Sequence, residues 1–174
     1  VQHKHFLDSL TCLLALPQPR VSGDIPDTMP LQRPGGPLRV VDVGSGAGFP
    51  GLPLKIMLPE VRLTLIEATG KKTAFLQHIV AVLELADVQV LNARVEDVAH
   101  QPEHREQYDL VVARAVARLA VLAEYCLPLG GPGGRMVAQK GESAAEEAEE
   151  AARAIGLLGG AEACIKSVAL PGVW

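Results

Sequence analysis

The stretch Asp42-Val43-Gly44-Ser45-Gly46-Ala47-Gly48-Phe49-Pro50-Gly51 joins an apolar run, Leu38 to Val43, to a helical pattern that begins at Pro53. A strand that runs straight into clustered glycines and then a helix presents backbone amides and a positive helix end to a ligand. Glycine at 44, 46 and 48 permits positive φ and a close ligand approach that any Cβ would obstruct. The spacing is GxGxG. A dinucleotide fingerprint wants its third glycine where this chain has Phe49, followed by Pro50, and this counts against a nicotinamide cofactor. The other half of the signal is an acid closing the next strand, about 20 residues on, where it can accept hydrogen bonds from ribose hydroxyls. Glu67 stands there, after Leu63-Thr64-Leu65-Ile66. Strand, loop, helix, strand and acid in that order predict a nucleoside-cofactor site, with NAD still open at this point.

Working outward, strand-like apolar runs alternate with helical patterns from Arg39 onward. This predicts an α/β, Rossmann-like fold: a mostly parallel sheet with helices on both faces. Strands are expected over 38–43, 61–66, 88–91, 108–113 and 135–139, with a sixth starting near Cys164 and running toward Leu170. Helices are expected over 71–85, with Phe75, Leu76, Ile79, Val82 and Leu83 on one stripe, over 119–127 and over 142–158. Gly130 to Gly134 reads as a tight turn. The acids Glu142, Glu146, Glu147, Glu149 and Glu150 of the last helix read as a solvated face with no chemistry. Ahead of the sheet, Phe6, Leu7, Leu10, Leu13 and Leu14 predict a leading helix over 4–16, and the prolines and glycines of 17–37 an irregular connection. The chain thus divides into an N-terminal helix and connection, 1–37, and a core, 38–174.

The composition is that of a folded domain: 174 residues, 48% hydrophobic and 21% charged, long enough to bury a core without disulfide or metal staples. Cys12, Cys126 and Cys164 are odd in number and far apart, with no histidine at metal-ligand spacing, so they read as reduced core thiols of a cytoplasmic protein without a metal. No apolar run approaches the roughly 20 residues of a membrane-spanning helix. A net charge of −4 excludes a generally basic nucleic-acid binder but leaves room for a local patch.

Beyond the loop, further segments carry a resemblance. Lys4-His5-Phe6-Leu7-Asp8-Ser9-Leu10, Asp42 through Leu54, Glu67 with Lys71-Lys72 and Phe75-Leu76, Arg94-Val95-Glu96, Tyr108-Asp109, Arg114-Ala115-Val116-Ala117 and Lys140-Gly141 stand in one order along nearly the whole chain. In that order and spacing they resemble the class I methyltransferases that modify guanine N7 in small-subunit (16S) ribosomal RNA, the RsmG or GidB family. The resemblance implies an S-adenosyl-L-methionine-dependent methyltransferase, a monomer whose partner is small-subunit ribosomal RNA or the assembled 30S subunit. It implies cofactor contacts at Gly44, Gly46, Gly48 and Phe49 in the loop, Glu67 and Ala68 at the ribose, Val95 and Glu96 beside the adenine, and Arg114. It places His5, Asp8 and Ser9 on a leading helix over the cleft, with Arg114 and Lys140 completing the catalytic set. Lys71, Lys72, Arg114, Arg118 and Lys140 follow strands or open helices, where they can gather as phosphate contacts on the rim.

Methyl transfer to guanine N7 needs no metal and no general base, because N7 carries a lone pair and no proton; alignment and water exclusion are the main tasks. Carboxylates near the acceptor would stabilise the positive charge it gains, and Asp8 is one candidate. Against the family pattern, helices before His5 and a final strand after Leu170-Pro171-Gly172 are missing, so both ends read as truncated, and the connection 17–37 is long. Rival readings are a methyltransferase of the same fold acting on a small molecule or protein, a non-catalytic cofactor-binding module, and a nicotinamide-dependent reductase.

Overall fold

The computed structural model describes residues 2–15, 32–33, 36–114, 116–161 and 163–169. Five parallel strands form one sheet: β1 (Arg39–Val43), β2 (Arg62–Ile66), β3 (Val88–Leu91), β4 (Tyr108–Arg114) and β5 (Gly130–Gln139), side by side in the order β3-β2-β1-β4-β5. The chain builds outward from β1 to β3, crosses back and continues from β4 to β5. That reversal creates a switch point between the carboxyl ends of β1 and β4, the crevice where open α/β sheets hold their ligands. Val43 of β1 pairs with Ala113 of β4 there, directly before Gly44 and Arg114.

Both sheet faces are buried, which is why the strands are apolar at consecutive rather than alternate positions. On one face Val41, Val43, Ile66, Val111 and Ala113 pack against α4 (Val95–Ala99) and α5 (Leu119–Cys126). On the other, Val40, Leu63, Leu65, Leu110 and Val112 pack against α2 (Gly51–Met57), Leu76 of α3 (Gly70–Val82) and Cys12 of the 3-10 turn Thr11–Ala15, which follows α1 (Gln2–Leu10). Ala151 and Ile155 of α6 (Ala144–Leu157) lie on Ala123 of α5. Each fully buried Val, Leu or Ile contributes about 1.5–3 kcal/mol, so these two layers fix where the strand ends lie.

The structure departs from the sequence reading in several places. Gly130 to Gly134 is not a free turn but the start of β5: Gly130 pairs with Tyr108, Arg135 with Leu110, and the surplus residues between them form an irregularity. The strand expected from Cys164 is absent over 163–169, where no ladder partner is found; Leu170 lies outside the described residues. The leading helix breaks at Leu10 into the 3-10 turn, and Leu16 lies outside the described residues. Of the 17–37 connection, Gln32–Arg33 and Gly36–Pro37 pair as a small antiparallel ribbon. In α3 only part of the stripe is buried: Leu76 is enclosed, whereas Phe75, Val82 and Leu83 are exposed. Cys12 and Cys126 are core thiols, pushed up to about 12 by burial, but Cys164 is exposed. The sequence reading also misses α4, whose five residues are too few to show a helical period.

Candidate functional site

The loop after β1 is held in a shape that favours glycines. Gly44, Gly46 and Gly48 have φ of 69°, 57° and 92°, values in the left-handed region that L side chains rarely adopt. The Gly44 and Ser45 amides both donate to the Ile66 carbonyl, at 2.9 and 3.0 Å, which ties the loop to the end of β2. Gly48 and Phe49 donate back to the Ser45 carbonyl at 2.7 and 3.2 Å, and the Ser45 hydroxyl donates to the Asp42 carbonyl at 2.9 Å.

These bonds correct the expectation of bare amides facing a ligand. The helix end is closed as well: the Gly51 amide donates to the Asp42 carboxylate at 2.9 Å, Leu52 to the Gly48 carbonyl at 2.8 Å, and Pro53 has no N–H. A diphosphate site needs free first-turn amides and an open positive helix end, and here a carboxyl group occupies that place. Asp42 is fully buried, its second oxygen has no partner, and desolvation pushes its acid up to about 7. What the loop offers a ligand is the open space at Gly46, since the missing Cβ positions of Gly44 and Gly48 are filled by Val116 and Leu52.

Glu67, at the end of β2, is buried and clasped by the chain itself. One carboxylate oxygen accepts from the Gly46 amide at 3.0 Å and the other from the Thr69 amide at 2.8 Å. Burial alone would raise its acid; the Thr69 amide and hydroxyl, the Gly46 amide and the Lys72 ammonium 3.9 Å away outweigh it and hold the carboxyl below its ordinary value. Each oxygen keeps a lone pair for a ligand hydroxyl. Two residues the sequence reading overlooks fix this corner. The Asn92 side-chain amide donates to the carbonyls of Glu67 and Ala68 at 3.0 and 3.1 Å, and the Thr73 hydroxyl lies 3.2 Å from the Glu67 carbonyl. An asparagine one residue beyond a strand was the available signal. Ala68 is exposed beside Glu67, Val95 is a buried core residue at the start of α4, and Glu96 pairs with Arg94 at 3.6 Å on its rim.

α1 lies against the loop: Phe6 meets Phe49 edge-on with ring centres 5.1 Å apart, and His5 is 5.9 Å from the same ring. Arg114, at the end of β4, holds α1 there. Its guanidinium donates to His5 Nδ1 at 2.5 Å and to the His5 carbonyl at 3.4 Å, and lies 3.3 Å from the Asp8 carboxylate. His5, Asp8, Phe49 and Arg114 therefore converge at the switch point. Ser9 does not join them: its buried hydroxyl donates to the His5 carbonyl of its own helix at 2.6 Å. Lys140, one residue past β5, donates to the Ala117 carbonyl at 2.5 Å and pairs with Glu147 at 2.6 Å. The basic rim is thereby reduced, since Arg114, Lys140 and Arg118 are neutralised by Asp8, Glu147 and Glu150, leaving Lys71 exposed at the start of α3 beside Lys72, whose ammonium faces Glu67. Glu147 also departs from the solvated face assigned to its run.

Comparisons with known proteins give the chain its relatives. The family model of GidB, rRNA small subunit methyltransferase G, matches residues 1–171. The chain is 52% identical to ribosomal RNA small subunit methyltransferase G of Roseiflexus sp. (strain RS-1), covering 98% of this chain and 65% of that protein. It is 50% identical to the protein of the same name in Pelotomaculum thermopropionicum, covering 97% of this chain and 64% of that one. The chain thus spans about 65% of the length of the curated relatives it matches. Among solved structures it resembles a SAM-dependent O-methyltransferase of Thermotoga maritima (TM-score 0.55, 13% identity, 69% of this chain and 43% of that one). It also resembles coclaurine N-methyltransferase (TM-score 0.54, 17% identity, 76% and 34%). At such identities these two establish the Rossmann-like fold alone. The match across residues 1–171 and the identity to the curated relatives establish more: the chain belongs to the GidB family, the rRNA small subunit methyltransferase G proteins.

Proposed function

We propose that the protein is an S-adenosylmethionine-dependent methyltransferase that methylates guanine N7 in small-subunit (16S) ribosomal RNA. The observation that carries the cofactor assignment is the pairing of a loop open at Gly46, where a Cβ would meet nothing nearer than 3.8 Å, with a helix end already closed by Asp42. Such a cleft admits a nucleoside through Glu67 and lacks the open anion site a dinucleotide needs. The donor set fits: two carboxylate oxygens, each with one lone pair to give, stand beside an exposed backbone corner held by Asn92.

When bound, S-adenosylmethionine supplies an electrophilic methyl group. The protein's own residues then bind, orient and exclude water. Glu67 would take the ribose hydroxyls, the backbone at Gly46 would lie against the cofactor, and Phe49 would cover it with His5 and Phe6 behind. Arg114 sets the position of α1, which walls the acceptor side. No residue need remove a proton from guanine N7, consistent with the Ser9 hydroxyl and the Lys140 ammonium both being engaged elsewhere.

The RNA acceptor rests on family membership, with Lys71 and Lys72 as its exposed cations. The neutralised rim favours a second reading, methylation of a small molecule or a protein. Calorimetry with S-adenosylmethionine and with NAD separates the cofactors; binding of NAD alone would overturn the assignment. Incubation with labelled S-adenosylmethionine and either 16S RNA or assembled small subunits should place label in the RNA. Label found only in a metabolite or protein fraction selects the second reading.

A further inference from the structure

Glu147 sits in an acidic helix whose Glu142, Glu146, Glu149 and Glu150 are exposed, yet its own side chain is only 11% exposed. Its carboxylate accepts from the Leu119 amide at 2.8 Å, the first N–H of α5, and from the Ser143 hydroxyl at 2.9 Å, and pairs with Lys140 at 2.6 Å. Lys140, 15% exposed, hands the connection on: its ammonium donates to the Ala117 carbonyl. The neighbouring Val116 lies so close over the glycine loop that a Cβ placed on Gly44 would come within 2.7 Å of its Cγ2. A continuous line of contacts therefore runs from α6 through Lys140 and residues 116–118 to the backbone of Gly44. A charge pair so little exposed is stable only when its remaining hydrogen-bonding sites are filled, and the groups that fill them here, the Leu119 amide and the Ala117 carbonyl, belong to α5 and the turn before it.

We propose that Glu147 is a positioning residue for the cofactor cleft: by holding Lys140 and the Leu119 amide it fixes residues 116–118 and keeps Val116 seated on Gly44. The proposal rests on the reading that this cleft takes S-adenosylmethionine. Lys140 then acts through the loop it anchors. The pKa of Glu147, brought down to about 2 by Lys140, Ser143 and the Leu119 amide, keeps the clamp charged throughout the neutral range.

The test is a double-mutant cycle read by calorimetry with S-adenosylhomocysteine, well below the melting temperature of every variant. Glu147→Ala and Val116→Ala should each weaken binding about tenfold, and the double variant about as much as the weaker single, because both act through one contact. Glu147→Gln, which keeps an acceptor for the Leu119 amide, should recover most of the affinity. Additive losses, or a Glu147→Ala variant that binds like the wild type, overturn the proposal. Should Glu147→Ala not fold, Lys140→Met breaks the same link from its other end and takes its place in the cycle. Limited trypsin digestion without ligand gives an independent readout: cleavage after Arg118 should quicken about tenfold in Glu147→Ala, and an unchanged rate overturns the clamp. If the wild type binds neither S-adenosylmethionine nor S-adenosylhomocysteine, the cofactor reading fails, and the digestion still decides the clamp.

Discussion

Arg114 donates to His5 Nδ1 across 109 residues of sequence, fastening the leading helix to the carboxyl edge of β4. Because a guanidinium only donates, Nδ1 is the acceptor and the His5 proton sits on Nε2. The same guanidinium faces Asp8, with the arginine side chain 19% and the aspartate 35% exposed, so part of the attraction is lost to water. Arg114→Ala should therefore cost only about 1 kcal/mol of global stability. Its larger effect should be local: amides of residues 5–10 should exchange faster, and the cofactor cleft should lose its cover. Hydrogen exchange that stays slow in α1 would contradict the fastening role.

The loop glycines should not be equivalent. A Cβ at Gly48 would lie 2.3 Å from Leu52 Cδ1, a packed α2 side chain, whereas one at Gly46 meets nothing nearer than the Gly44 carbonyl at 3.8 Å. Gly48→Ala should lose about 1–3 kcal/mol through overpacking and backbone strain together. Gly46→Ala should lose about 1 kcal/mol, for the left-handed backbone alone. Denaturant midpoints check this ranking. Gly46→Ala should nevertheless bind S-adenosylmethionine at least tenfold more weakly, because its new methyl group enters the space left for the ligand.

The parallel sheet, the positions of its first four strands and the loop with Glu67 were legible because they are local: apolar runs, glycine spacing and an acid at a strand exit all lie in short windows. What was not legible depends on side chains meeting across the chain. Nothing near Glu147 marks it off from Glu146 or Glu150 until α6 is laid on α5 and Lys140 arrives from β5. Likewise Arg114, Arg118 and Lys140 read as a basic rim because their acidic partners, Asp8, Glu150 and Glu147, are 32 or more residues away for the first two and on the next helix for the third. The loop's inward-turned amides were hidden for a related reason: Ile66 and Asp42, which accept from them, belong to strands whose register the sequence does not print.

Asp42 makes a pH prediction. Its folded acid, at about 7, lies above the ordinary value of 3.8, so the folded state binds the proton more tightly than the unfolded chain. The stability this brings is fully present below about pH 4 and is lost as pH rises through 7, by an amount on the order of 4 kcal/mol as an upper bound. His104 runs the opposite way: burial lowers its pKa, so its contribution is present above 6.5 and is lost as pH falls below that value. The two slopes oppose each other in the wild type. Asp42→Asn removes one of them, and its melting temperature should then change less between pH 6.5 and 8 than the wild type's. An unaltered profile would place the titration elsewhere.

Glu67 carries the sharpest consequence for the site, since a single carboxylate closes the loop and receives the ligand. Its two oxygens accept from the amides of Gly46 and Thr69. Glu67→Gln keeps the shape but turns one of those oxygens into an NH2 group, which faces an N–H and cannot accept from it. Leaving one buried amide unsatisfied should cost about 1–3 kcal/mol, and the donor that replaces the oxygen should also fail to accept from a ribose hydroxyl. The variant should therefore lose affinity for S-adenosylmethionine by more than its loss of stability explains, with calorimetry and chemical denaturation read side by side. The wild-type carboxylate is held below its ordinary 4.5, so its own stabilisation is present above that value and is lost as pH falls through the lowered one. Glu67→Gln should abolish that acid-side loss, and a variant that keeps full affinity would show that the ribose is held by some other group.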